Sequence, residues 1–262
     1  MQPRIKIYTR SFDLRLYLLS KGLFEQMGVP CVRLTDTSAD GYFYKMLRDR
    51  ECDIAINVDE DAFITGPEAV MDLALKVWEE GLANAGCSDG DPAVTGRDRV
   101  VTNPFFNVLN LSLIRPTFDR SKLVRNYSDR EPYYPFFRWM AENFKTLYLR
   151  PERHSDGIST AAFDPSGREL CLHSWFSRFY SMPSRIVRRI EPSQGMQKER
   201  IDALIREAYG KRGLEVPSFG AGRRVQFAAD KALRWAIKIP QRISRWPYKI
   251  KRKFALSRRN DG

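Results

Sequence analysis

Residues 52–63 read CDIAINVDEDAF, and this stretch decides the fold expected of the chain. Ile54, Ile56 and Val58 alternate with smaller or polar residues, the period-two pattern of a strand. The run ends in two carboxylates one residue apart, Asp59 and Asp61. In an open α/β sheet the ligand crevice lies beyond the C-terminal ends of the parallel strands. Two hard oxygen donors placed there, with Glu60 turned away between them, suit Mg²⁺ or Mn²⁺ gripping a substrate diphosphate.

Other readings of the same acids compete. Asn57, Asp59, Asp61 and Glu68 fall on ligand positions of a calcium loop, but Ala62 stands where its sharp turn needs Gly. The β-branched flank DIAIN also replaces the entering helix that such a loop requires. An aspartate-nucleophile phosphatase carries the same pair after a strand, followed by Thr or Val where this chain has Phe63. A solvated acidic turn leading to a helix that begins near Pro67, with Glu68 at its positive end, needs no ligand at all.

Outward from this run, IKIYT (5–9) predicts a first strand and LRLYLLSKGLFEQMG (14–28) a helix closed by Gly28. CVRLTD (31–36) predicts a second strand ending in Asp36, residues 41–50 a helix, and residues 67–81 another closing at Gly81. Three strands separated by helices imply a parallel, right-handed α/β sheet. From residue 84 the character changes. NAGCSDGDPAVTG (84–96) is rich in turn formers and acids, and strand-like apolar runs resume over 100–115. The aromatic segment 127–144 could offer stacking faces to sugars; packing a helix onto the sheet is the favoured reading.

A second site signature lies in LCLHSWFSRFY (170–180), where His173 is followed closely by Trp175 and Arg178. With the Asp-x-Asp run before it, this segment resembles GT-A-fold glycosyltransferases of bacterial polysaccharide synthesis, over roughly residues 4–180. The resemblance implies a Rossmann-like α/β fold, with a mixed, mostly parallel central sheet flanked by helices and a basic C-terminal helical tail. It implies transfer of a sugar from a nucleotide-diphosphate sugar to a hydroxyl of a glycan or lipid-linked acceptor, with Mn²⁺ or Mg²⁺ held by Asp59, Asp61 and His173. Thr9, Arg10 and Asp36 would then hold the nucleotide, and Lys45, Arg48 and Arg178 would reach its phosphates. Asp89, Asp91 and then Asp156 are the ordered candidates for the base that takes the acceptor proton. One departure concerns the base contact: Asp36-Thr37-Ser38 and Asp40-Gly41 replace the usual acid-Gly-Ser turn.

The charge divides the chain further. Of a net +12, residues 223–262 carry 13 Lys and Arg against Asp230 and Asp261, which leaves the preceding body almost neutral. Phe227, Leu233, Trp235, Trp246 and Phe254 are interleaved with those cations, and Pro240 and Pro247 are expected to cut the segment into short pieces. Rings among cations suit the headgroup layer of an anionic membrane. Nucleic acid shares part of that chemistry but lacks the apolar layer, so it is the less fitting partner. The expected organisation is a catalytic domain at 1–190, a helical connector at 191–222 and a membrane-associating tail at 223–262. Four cysteines without metal-like spacing read as free thiols in a reducing compartment. With no signal peptide or membrane span in the sequence, the expected location is cytoplasmic, peripheral on the inner face of the cell membrane. The competing functions are a nucleic-acid-binding protein working through the tail and a metal-dependent phosphatase or nucleotidyl enzyme.

Overall fold

In the computed structural model the run IAINV forms β3 (Ile54–Val58), buried along its whole length. The described residues are 2–35, 41–89, 99–124, 131–177, 180 and 197–244. Before β3 come β1 (Ile5–Arg10), α1 (Leu14–Phe24), β2 (Cys31–Leu34) and α2 (Gly41–Arg48). After it come β4 (Ala62–Ile64), α3 (Pro67–Glu79), β5 (Asn84–Ser88), β6 (Thr102–Asn110), α4 (Leu111–Ile114) and α5 (Tyr134–Asn143). The chain continues through β7 (Thr146–Arg153), β8 (Thr160–Phe163), β9 (Glu169–His173), α6 (Gln197–Lys211) and α7 (Ala221–Ser244).

Local signals set the first helices as expected. The Asp13 carboxylate accepts the Leu16 amide hydrogen and so caps α1. A short 3-10 turn over Glu25–Met27 follows α1 and closes at Gly28, whose φ of 72° lies in the left-handed region open to glycine. At α3, Pro67 occupies the first turn, where its missing N–H costs nothing. Gly66, just before it, lies against β9 so closely that a Cβ there would stand 2.1 Å from the Glu169 carbonyl oxygen.

The strands form one nine-stranded sheet in the order β2-β1-β3-β6-β5-β7-β8-β9-β4. Among the described residues, parallel pairing is confined to β1–β2, β1–β3 and β5–β7. The pairs β3–β6, β5–β6, β7–β8, β8–β9 and β4–β9 are antiparallel. The expected GT-A fold, a Rossmann-like and mostly parallel sheet flanked by helices, is therefore overturned. The molecule is built on a mixed sheet curled into a half-barrel, with strands dominating its core.

The connection between β3 and β4 requires that curl. These strands stand third and ninth in the sheet, about 29 Å apart if it were flat. The chain from Val58 to Ala62 can span at most ~14 Å. The sheet must bend back until its far edge meets β3, which places Asp59, Glu60 and Asp61 in the seam.

Three apolar clusters hold this arrangement. Ile7, Ile56 and Val58 pack with Val70, Leu73 and Val77 of α3. On the other face Ala55 and Leu109 pack with Phe43 of α2 and Phe136 and Phe137 of α5. The rings of Phe136 and Phe137 each lie 5.1 Å from that of Phe43, so the described aromatic residues of 131–144 serve helix packing, as favoured. Leu16, Leu19 and Leu23 of α1 join Phe63, Leu172 and the α6 residues Ile201, Leu204 and Ile205 in the third cluster.

Two further expectations change. Residues 84–88 of the supposed turn-rich stretch are the buried strand β5. The tail is not cut at Pro240: α7 runs through it to Ser244, since a proline strains a helix and removes one hydrogen bond without forbidding its continuation. Pro247 lies outside the described residues. Cys52, Cys87 and Cys171 are buried and Cys31 is half-buried, all as free thiols.

Candidate metal centre

The β3 ladder continues one bond past the strand, with the Asp59 amide donating to the Phe105 carbonyl at 2.8 Å. A tight turn follows, closed by Ala62 N–H to the Asp59 carbonyl at 3.0 Å. The chain then enters β4, which pairs with β9 so that Ala62 stands opposite His173. Ser174 N–H reaches the Asp61 carbonyl at 2.9 Å and extends this second ladder. The acids are thus held by β6 on one side and by the end of β9 on the other.

Three potential ligands meet there: one atom each from Asp59, Asp61 and His173, all within 4.8 Å of one another. His173 Nε2 lies 3.4 Å from Asp61 Oδ1, and the Ser174 hydroxyl lies 3.4 Å from Asp61 Oδ2. Arg10, at the end of β1, pairs with Asp59 at 3.6 Å. Its guanidinium lies 5.3 Å from the centre of the Tyr42 ring and 5.7 Å from that of Phe12. Glu60 points away as expected, its carboxylate accepting the amides of Phe12 and Asp13, each at 2.8 Å.

The electrostatics follow from crowding acids in a dry turn. Burial pushes the Asp59 carboxyl up to about 6; Arg10 pulls the other way and the Asp61 charge adds to the rise. Burial also works against the Asp61 charge, but His173 outweighs it and holds Asp61 below the usual carboxylate value. Glu60 is pushed up to about 8 by burial, against the two amides that favour its charged form. Asp59 Oδ1 and His173 Nδ1 are buried without a hydrogen-bond partner. Buried polar atoms are ordinarily paired. Two carboxylates and an imidazole with orphaned atoms fit a divalent cation.

The histidine is held by its surroundings. The Phe105 ring stacks on it at 4.4 Å and 3°, and the Trp175 ring lies 4.2 Å away on a tilt. Trp175 Nε1 donates to the Thr160 hydroxyl at 2.9 Å. Trp175 and Phe176 have φ of 56° and 59°, a left-handed conformation costing bulky residues ~1–3 kcal/mol each. Arg200, from the first turn of α6, donates to the carbonyls of Ser174 and Trp175 and fastens this strained segment from behind.

No family model matches the chain. No curated protein matches it either. Among solved structures it is similar to A197 from STIV, at 13% identity and a TM-score of 0.40, covering 64% of this chain and 93% of that chain. A likeness that distant fixes neither fold nor activity. No helix among the described residues is long and apolar enough to cross a membrane.

The other residues expected at the site separate. Thr9 is buried in β1 opposite Arg33 of β2. Lys45 and Arg48 lie on the exposed side of α2, with Arg48 over the Tyr44 ring. Asp36, Asp91 and Arg178 fall outside the described residues. Asp89 is buried and accepts from Asn103 Nδ2 at 2.6 Å and from the Tyr133 and Tyr134 hydroxyls at 3.1 and 2.5 Å. It ties α5 to the sheet, with both oxygens held by donors. Asp156 accepts the amides of Ile158 and Ser159, the Ser159 hydroxyl and Arg200 Nη1. Against the cost of burial these bonds hold its carboxyl well below the ordinary value, which makes it a poor base. Sequence reasoning passed over Phe105, Ser174 and Arg200; none carries a motif, and their roles follow from the seam alone.

Proposed function

We propose that this chain is a metal-dependent glycosyltransferase that moves a sugar from a nucleotide-diphosphate sugar to an acceptor hydroxyl. The observation carrying this reading is the convergence of Asp59, Asp61 and His173 within 4.8 Å. The imidazole in the donor set favours a transition metal such as Mn²⁺ over Mg²⁺, which takes oxygen ligands. Bound there, the cation would neutralise the charge that builds on the leaving diphosphate as the anomeric bond breaks.

The protein's own groups prepare that step. Arg10 sets a positive charge beside Asp59 and is available to a phosphate once a cation takes over the Asp59 charge. Glu60, fixed to the start of α1, keeps the turn from unwinding. No described acid is assigned as base, because Asp89 and Asp156 are engaged elsewhere. The exposed Val225 and Leu233 among Arg223, Arg224 and Lys231 on α7 support the further proposal that the tail meets an anionic membrane surface, where an acceptor would be presented.

The deciding experiment is calorimetric titration of nucleoside diphosphates into the Mn²⁺-loaded protein, followed by product analysis with nucleotide sugars. Release of a nucleoside diphosphate supports glycosyl transfer. Release of phosphate or pyrophosphate instead would replace this reading with the phosphatase or nucleotidyl alternative.

A further inference from the structure

Away from the acids, the start of α1, Tyr180, the first turn of α6 and the second and third turns of α7 enclose a cavity of about 410 Å³. Phe12, Leu14, Tyr180 and Phe227 give it apolar walls, and Arg15, Lys198 and Lys231 add positive charge. A second hollow of about 440 Å³ shares Arg15 and Phe227 with the first and adds Phe219 and Arg224, so the two adjoin as a groove along α7.

Cations outnumber acids in the lining of this groove. Its two acids are committed: Asp13 caps α1, and both oxygens of Asp230 are taken by the Arg33 guanidinium at 3.0 Å. The same Arg33–Asp230 pair seats α7 on the body. Arg15 and Lys198 both lie 5.7 Å from the centre of the Tyr180 ring, although Lys198 also bonds Asp202. Phe219 and Phe227 meet edge to face at 5.1 Å and line the second hollow. Cations along apolar, aromatic walls match a molecule with an anionic head and a greasy body.

We infer that this groove binds an anionic amphiphile, a phosphate head on a hydrocarbon chain, with Arg15, Lys198 and Arg224 meeting the head and Phe12, Phe219 and Phe227 the chain. Phe12, in the wall of this groove, also lies under the Arg10 guanidinium that pairs with Asp59. Use of the groove as the acceptor site rests on the proposed sugar transfer; the binding itself does not.

The test is calorimetric titration of the metal-free, full-length chain with dodecyl phosphate, dodecyl maltoside and inorganic phosphate, each below any micelle-forming concentration. Dodecyl phosphate is expected to bind on the order of tenfold tighter than either the uncharged amphiphile or the free anion. Arg15→Glu, at an exposed position, and Phe227→Asp should each weaken it by about tenfold, while Asp61→Asn leaves it unchanged. Undiminished binding in both groove variants would assign the amphiphile to the basic tail and overturn the inference, as would equal binding of all three probes. Amphiphile binding without sugar transfer would leave the groove standing and remove only the transferase reading.

Discussion

The turn between β3 and β4 and the two loops that carry Asp89 and Asp156 treat their carboxylates in opposite ways. Asp61 and Asp89 are buried, and Asp59 and Asp156 are half-buried. Asp89 and Asp156 have their oxygens met by hydroxyls, amides and an arginine. Asp59 keeps one oxygen with no partner, and His173 beside it keeps one nitrogen the same way. A satisfied carboxylate holds structure together, whereas an unsatisfied one stores a demand that a ligand can meet. The contrast separates a scaffold acid from a binding acid where position in the sequence does not.

The sharpest way to break the comparison is to neutralise one acid of each kind. Asp89→Asn should cost about 3 kcal/mol of stability in urea denaturation, because a buried three-donor cluster loses its charged acceptor. An unchanged midpoint would show that Asp89 is no scaffold acid. Asp61→Asn should weaken Mn²⁺ binding on the order of 100-fold in calorimetry while costing less stability than Asp89→Asn. His173→Ala should resemble Asp61→Asn; lost stability with intact metal binding would make the histidine a packing residue.

Acid titration sharpens the contrast further, since Asp156 and Asp59 act with opposite sign. The Asp156 carboxyl is lowered in the folded state, so its stabilisation is present above the unfolded value of about 3.9 and is lost as pH falls through the folded one. The Asp59 carboxyl is raised to about 6, so the metal-free protein loses stability as pH rises from the ordinary carboxylate value toward 6. Denaturation across this range should show Asp156→Asn flattening the acid limb and Asp59→Asn flattening the slope above it. Matching slopes in both variants would erase the distinction. The smallest effect is expected at Lys45→Ala and Arg48→Ala, which should change Mn²⁺-dependent nucleotide binding less than about threefold, as exposed α2 residues do when they touch no ligand. A large loss at either would return α2 to the site.

Much of the N-terminal sheet was legible because each element carries its own signal. β1, α1, β2, α2, β3 and α3 appear close to where alternation, helical spacing and Gly28 put them. β4 was not legible: three residues hold no period, and Ala62–Ile64 is a strand only because β9 stands beside it. β5 was hidden by Asn84 and Gly86, poor strand formers that the sheet tolerates because Asn84 donates to Thr102 and the missing Gly86 side chain leaves room for Asn107. At the site, the motifs marked Asp59, Asp61 and His173. The partners that commit Asp89 and Asp156, Tyr133, Tyr134 and Arg200, lie 44 or more positions away, beyond any local pattern.

The pairing of Ala62 with His173 gives the molecule a history as well as a shape. Ser174 and Asp61 are 113 positions apart, so β4 waits for most of the body to be synthesised before its partner strand exists. Contacts that distant close late, because the entropy of the intervening chain is lost before they reward it. Until then the acids lack the imidazole, which only the closed seam brings beside them. Tight Mn²⁺ uptake should therefore rise with the slowest refolding phase, and a cation taken up at that moment would act as the latch that keeps β4 and β9 together.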